Sequence, residues 1–147
     1  MENLLEFMFG AGGRINRAEY WLSILKFTVA GLFAAVILAT AAGIATPLLI
    51  IAIVLVLIPW LVWGLAIHTE RLHDRSKSAW WLLAFYVIPG ALSRLSSTMW
   101  LAGSAGLILH YVLELAAFGL AVWGFVEIGC LRGIEGSNRY GPNPLSR

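Results

Sequence analysis

Charge is what this sequence has least of. Only 12% of its 147 residues are Asp, Glu, Lys or Arg, while 60% are hydrophobic and the mean hydropathy is +0.83; soluble domains carry about a quarter charged residues. Those proportions exclude a water-soluble monomer. Cysteine is almost missing too, and the single Cys130 rules out an internal disulfide or a cysteine-based metal cluster. The first nine residues hold Glu2 and Glu6 but no Lys or Arg. The basic region of a secretory signal peptide is therefore lacking, and the start reads as mature protein. Ten basic residues against eight acidic ones give a net charge of +2, too few and too scattered for a nucleic-acid footprint. No HExxH, paired-cysteine or serine-elbow motif occurs, so neither a metal nor a cofactor is expected and the chain is read as non-enzymatic.

What is present is length in apolar runs. About 20 such residues cross a bilayer as helix, and four candidate spans can be marked at roughly 20–44, 47–67, 79–97 and 106–131. Lys26 near the start of the first can snorkel to the interface. Ala45 and Thr46 alone separate the first span from Pro47, which predicts a tight helical hairpin, since proline suits a first helical turn. The third span stops near Leu92 unless it continues through Pro89 and Gly90 as a kinked helix toward Ser97. The expected fold is all-α: one domain over residues 1–147, a compact four-helix membrane bundle.

Orientation follows from the basic residues of short loops. Arg14, Arg17, Arg71, Arg75, Lys77, Arg132, Arg139 and Arg147 fall on one side and Arg94 on the other, which places both termini in the cytoplasm. Tyr20, Trp21, Trp63, Trp80 and Trp81 lie near the same interface and Trp100 near the outer one. Gly31, Ala35, Ala39 and Gly43 recur every fourth residue, a small-residue stripe that lets the neighbouring helix of the hairpin approach closely.

Three polar segments meet on the predicted cytoplasmic face: GRINRAEYW (Gly13–Trp21), ERLHDRSKSAWW (Glu70–Trp81) and NRYGPNP (Asn138–Pro144). Together they resemble the domain of unknown function 805 family of small bacterial inner-membrane proteins, with all three motifs in order along nearly the whole chain. Ala79 replaces a usual glycine, and Asn143 a common aspartate. The resemblance implies a multi-pass helical protein of the bacterial inner membrane and no particular activity.

Two readings fit the face formed by Arg14, Arg17, Glu19, Arg71, His73, Asp74, Arg75, Asn138, Arg139 and Tyr140, with Glu70 beside them. One is a structural lid in which Glu19 and Asp74 pair with arginines, because half-buried charge needs partners. The other is a phosphate site for an anionic lipid headgroup, with arginines as bidentate donors. His73 and Asp74 are adjacent, about 100° apart on a helix, and so poorly placed to act as a direct catalytic pair. A lipid-modifying enzyme built on them is the weakest reading. NRYGPNP is turn-rich and predicts a rigid tail anchored by Tyr140. Gly10, Gly12 and Gly13 form a hinge after an amphipathic segment (Leu4, Leu5, Phe7, Met8, Phe9).

Within the membrane, Glu114 stands one helical turn from His110, above Ala117, Ala121 and Gly124. An intramembrane acid marks either a proton or cation pathway, in a small transporter or channel made by oligomerisation, or a carboxyl hydrogen-bonded to a neighbouring helix. Glu127 is expected on another face, in the headgroup layer. Membrane lipids, a second copy or another membrane protein are the expected partners.

Overall fold

A computed structural model describes residues 13–146 apart from 45, 101 and 102. The amphipathic start, Gly10, Gly12, Ala45 and Arg147 lie outside the described residues. Helix α1 is Arg17–Ile44 and α2 is Thr46–Asp74. Helix α3 covers 81–99, and α4 is Gly103–Cys130. The tail closes in a short 3-10 turn, Pro144–Ser146. No strand occurs among the described residues. Helices α1, α2 and α4 are long and apolar enough to cross a membrane. Helix α3, at about 1.5 Å per residue, is roughly 28 Å long but carries Ser93, Arg94, Ser96, Ser97 and Thr98. Leu32, Phe33, Leu55, Leu115 and Phe118 are each about two-thirds exposed, an apolar exterior of the kind that meets a membrane or another protein.

Two prolines inside helices are accommodated by the same device. Proline lacks an N–H and its ring collides with the carbonyl four residues earlier. Here a π-helical turn precedes each: Ile53–Leu57 before Pro59 and Leu83–Val87 before Pro89, closed by Ile58 N–H to the Ile53 carbonyl and Ile88 N–H to the Leu83 carbonyl. The wider turn makes room for the ring, so α3 runs on through Pro89 and Gly90 to Met99. Helix α2 likewise extends past Ile67 to Asp74, which makes Glu70–Asp74 helical and leaves a shorter connection of residues 75–80. It ends in a Schellman turn, with Lys77 N–H on the Leu72 carbonyl at 2.9 Å and Ser76 N–H on the His73 carbonyl at 2.9 Å. Ser76 takes the left-handed conformation this requires, at φ 55°.

The helices form two antiparallel hairpins. In the first, Phe27 stacks on Trp60 at 4.4 Å and 6°, and the Trp60 indole N–H donates to the Phe27 carbonyl at 3.1 Å. Only glycine fits opposite these rings: a Cβ would stand 2.8 Å from Trp60 at Gly31 and 2.7 Å from Phe27 at Gly64. The expected stripe holds at Gly31 alone. Ala35, Ala39 and Gly43 face outward, and the packed face runs through Phe27, Gly31, Ala34, Leu38 and Ala41. A strict four-residue step drifts about 40° per repeat around a helix of 3.6 residues per turn, so the contact line alternates threes and fours instead. In the second hairpin, Gly124 lies against Phe85, and Trp123 meets Trp81 at 5.5 Å and Phe85 at 5.3 Å.

Between hairpins, the described helices approach backbone to backbone only at the π-helical end of α4, Val126–Cys130. The buried core sits at that same end, formed by Tyr20, Ile67, Leu72, Phe85 and Ile128. We call it the polar end, because both termini's described residues and nearly all charges gather there. Replacing Gly64 with leucine should cost about 1–3 kcal/mol through overpacking, whereas Gly43→Leu, with open space around it, should leave chemical denaturation in micelles unchanged.

Candidate functional site

The polar end is organised around one carboxylate. Asp74, in the last turn of α2, is 3% exposed and lies between two buried guanidinium groups. Arg14 donates to Asp74 Oδ1 through Nε at 3.2 Å and Nη2 at 3.1 Å. Arg71, one turn before Asp74 and wholly buried, donates to Oδ2 through Nη1. The spacing of three on a helix puts Arg71 and Asp74 on one face. His73 points elsewhere, as adjacent helical positions must.

The remaining arginine donors close the end of α4. A helix leaves its last carbonyls without internal partners, and here the last three of α4 and the two that follow are taken by side chains from α1 and α2 and the turn after it. Arg71 holds Ile128 at 2.9 Å and also Leu131, Trp21 holds Gly129 at 3.0 Å, Arg17 holds Cys130 at 3.0 Å, and Arg75 holds Arg132 at 2.6 Å. Cations at a helix C-terminus also meet the negative end of its dipole. Beyond the helix, Arg14 donates to the carbonyls of Ile134 at 2.6 Å, Gly136 at 2.8 Å and Gly141 at 3.1 Å. Gly133 sits where any Cβ would overlap the Asp74 carboxylate.

The tail docks as a hydrogen-bonded turn. Asn138 and Gly141 exchange backbone hydrogen bonds at 3.0 Å, with Gly141 at φ 131°. The Asn138 amide donates to the His73 carbonyl at 2.8 Å and to Ser76 Oγ at 3.0 Å. Tyr140 stacks on the His73 ring at 3.7 Å and 5°. Arg139 lies 4.7 Å from the Tyr140 ring centroid.

Several sequence expectations are corrected by this geometry. Glu19 pairs with no arginine: it closes a capping box, with its N–H on Asn16 Oδ1 at 2.9 Å and its carboxylate accepting from Asn16 N–H at 3.0 Å. Glu127 does not face the headgroup layer. It is buried and takes Arg75 at 3.1 Å and Lys77 at 3.8 Å, because the π-helical turn widens the last turn of α4 and swings it inward. Arg14 and Arg71 are consumed by internal acceptors, so a phosphate site cannot draw on them. Sequence reasoning missed Gly133, for which the run of Gly and charge after α4 was the available signal.

His110 and Glu114 are not joined to each other; each is tied to α3. Ser93 Oγ donates to Glu114 at 3.2 Å. Ser96, fully buried, places Oγ 2.6 Å from His110 Nδ1 and donates to the His110 carbonyl at 3.2 Å. Trp100 packs edge-on against His110 at 4.8 Å. Ala117 and Gly124 are buried, but Ala121 is exposed.

Apolar helices closed at one end by buried arginines and aspartate define a small helical integral membrane protein. The chain belongs to the family described as protein of unknown function (DUF805), which it matches over residues 8–142. Two relatives, each called inner membrane protein YhaH, come from Escherichia coli K12 and Escherichia coli O157:H7. Each is 32% identical over 139 residues, covering 92% of this chain and 87% of the relative. No solved structure matches. The chain is accordingly a multi-helix protein of the bacterial inner membrane.

Removing one partner of a buried ion pair strands the other charge, at a cost of about 3–5 kcal/mol. Asp74→Asn should therefore abolish a cooperative melt in micelles. Glu127→Gln, whose partners are part-exposed, should lower the midpoint only modestly.

Proposed function

We propose that the chain crosses the membrane four times with both termini in the cytoplasm, and acts without catalysis by binding anionic phospholipid headgroups beside the Asp74 clamp. The observation that carries this reading is a cavity of about 350 Å³ at the polar end, lined by Arg17, Asp74, Arg132, Glu135, Asn143 and Leu145 among others. Asp74 is already neutralised at its floor. Arg17 spends one N–H on Cys130, and Arg132 meets Glu135 only at 3.8 Å with both side chains at least three-quarters exposed, a contact of little strength. Both residues line the cavity. Guanidinium groups at interfacial depth suit a phosphate, which they bind bidentately. The phosphate reading thus passes from Arg14 and Arg71 to Arg17 and Arg132.

The four-span topology is supported by the length of α3 and its antiparallel packing on α4. Basic residues crowd the end where 13–16 and 131–146 meet, as a cytoplasmic face should. The alternative, a small oligomeric transporter with Glu114 and His110 in its pathway, draws less from this geometry, since both residues serve contacts within one hairpin.

Native mass spectrometry of the detergent-purified protein should show phosphatidylglycerol retained in preference to phosphatidylcholine. The double variant Arg17→Ala/Arg132→Ala should lower retention about tenfold or more, each lost charge-assisted bond costing about 1.5 kcal/mol; equal retention overturns the reading. Carboxyl-terminal fusions should be fluorescent with green fluorescent protein and inactive with alkaline phosphatase, and the reverse pattern overturns the topology.

A further inference from the structure

We infer that the ligand is a two-chain anionic phospholipid whose acyl chains lie in a furrow between α1 and α4, beneath the headgroup cavity. This rests on the headgroup reading above and names its substrate class. The two helices touch where the cavity sits. Arg17 holds the Cys130 carbonyl, Trp21 holds the Gly129 carbonyl, and Trp21 meets Phe125 edge-on at 6.0 Å. Below Trp21 and Phe125 the helices make no close backbone approach. Continuing down each contact face by helical period, α1 presents Leu25, Thr28 and Leu32, and α4 presents Val122 and Phe118. All five are exposed, with Leu25 at 61%, Leu32 at 65% and Phe118 at 67%.

Thr28 does not make this strip polar, because its hydroxyl donates to the Ile24 carbonyl at 2.9 Å. The strip is thus apolar along its length, with Arg17 and Arg132 at the polar end above it. Trp21, with its indole N–H fixed to Gly129, marks the level where polar gives way to apolar, the depth at which such rings sit in bilayers. A phosphate at Arg17 and Arg132 places the glycerol backbone beside Trp21 and the chains along Leu25, Leu32, Val122 and Phe118. Soluble phosphates offer nothing to the furrow and should bind far more weakly, since each buried methylene adds to affinity.

The test compares dioleoyl-phosphatidylglycerol with glycerol phosphate on wild type and on Leu25→Trp/Val122→Trp, which fills the furrow with lipid-compatible side chains. Wild type should retain the diacyl lipid, and glycerol phosphate should displace it only at concentrations at least about a hundredfold higher. The filled variant should retain about tenfold less lipid at an unchanged melting temperature. Should it melt early, Leu25→Ala/Phe118→Ala removes furrow contact without adding bulk and is expected to lower retention likewise. Undiminished lipid in both variants places the chains elsewhere and overturns this inference while leaving the headgroup reading intact. Displacement by glycerol phosphate at lipid-like concentrations does the same. A wild-type dimer mass that disappears in the variants assigns the furrow to a second copy and also overturns it. If Arg17→Ala/Arg132→Ala retains lipid fully, the headgroup reading and this inference fall together.

Discussion

The structure depends on the burial of one more positive charge than negative around Asp74. Arg14 and Arg71 face a single carboxylate, and the ions are nearly or wholly removed from water. Taking ions from water costs several kcal/mol each. The excess cation is tolerated because Arg71 reaches the Ile128 and Leu131 carbonyls at the end of α4, the negative end of a helix dipole, and Arg14 those of Ile134, Gly136 and Gly141. The clamp therefore joins three things at once: the end of α2, the end of α4 and the segment before α1. No apolar contact between these elements could do the same in lipid, where burying hydrocarbon against hydrocarbon gains little.

That constraint explains the lopsided architecture. Each hairpin is held along its length by local devices, a stacked Phe27–Trp60 pair with facing glycines in one and serine bonds to Glu114 and His110 in the other. The described helices of the two hairpins approach backbone to backbone at the polar end alone. Side chains reach across slightly lower, where His68 lies between Tyr20 and Tyr86 at 5.8 and 5.3 Å. Beyond that level the described hairpins make no close backbone approach, and their surfaces stay open.

The helical content was legible because a run of apolar residues with little charge has one solution in a bilayer. The convergence of the three polar motifs was legible from topology, as was the docking of NRYGPNP through Tyr140. Partner choice was harder. Asp74 against Arg14 and Arg71 lay within the expected set, but Glu19 was read as an ion-pair partner although Asn16 and Glu19 have the spacing of a capping box, a local signal overlooked beside the more conspicuous charges. Glu127 could not be placed because its direction depends on a π-helical turn, and one extra residue in a turn rotates everything after it. The small-residue stripe failed for a similar reason: a rotation of tens of degrees decides which side of α1 meets α2, and composition does not encode it. Backbone carbonyls, the principal acceptors of the clamp, carry no sequence signature.

The bonds of Arg14 to Ile134, Gly136 and Gly141 span 120, 122 and 127 residues. A chain emerging from the ribosome therefore exposes Arg14 first and supplies its acceptors last, long after the first hairpin can enter the bilayer. Until then the Arg14 guanidinium lacks those three acceptors. The clamp works in consequence as a completion mark. Its Arg14 bonds close only once the segment through Gly141 is present.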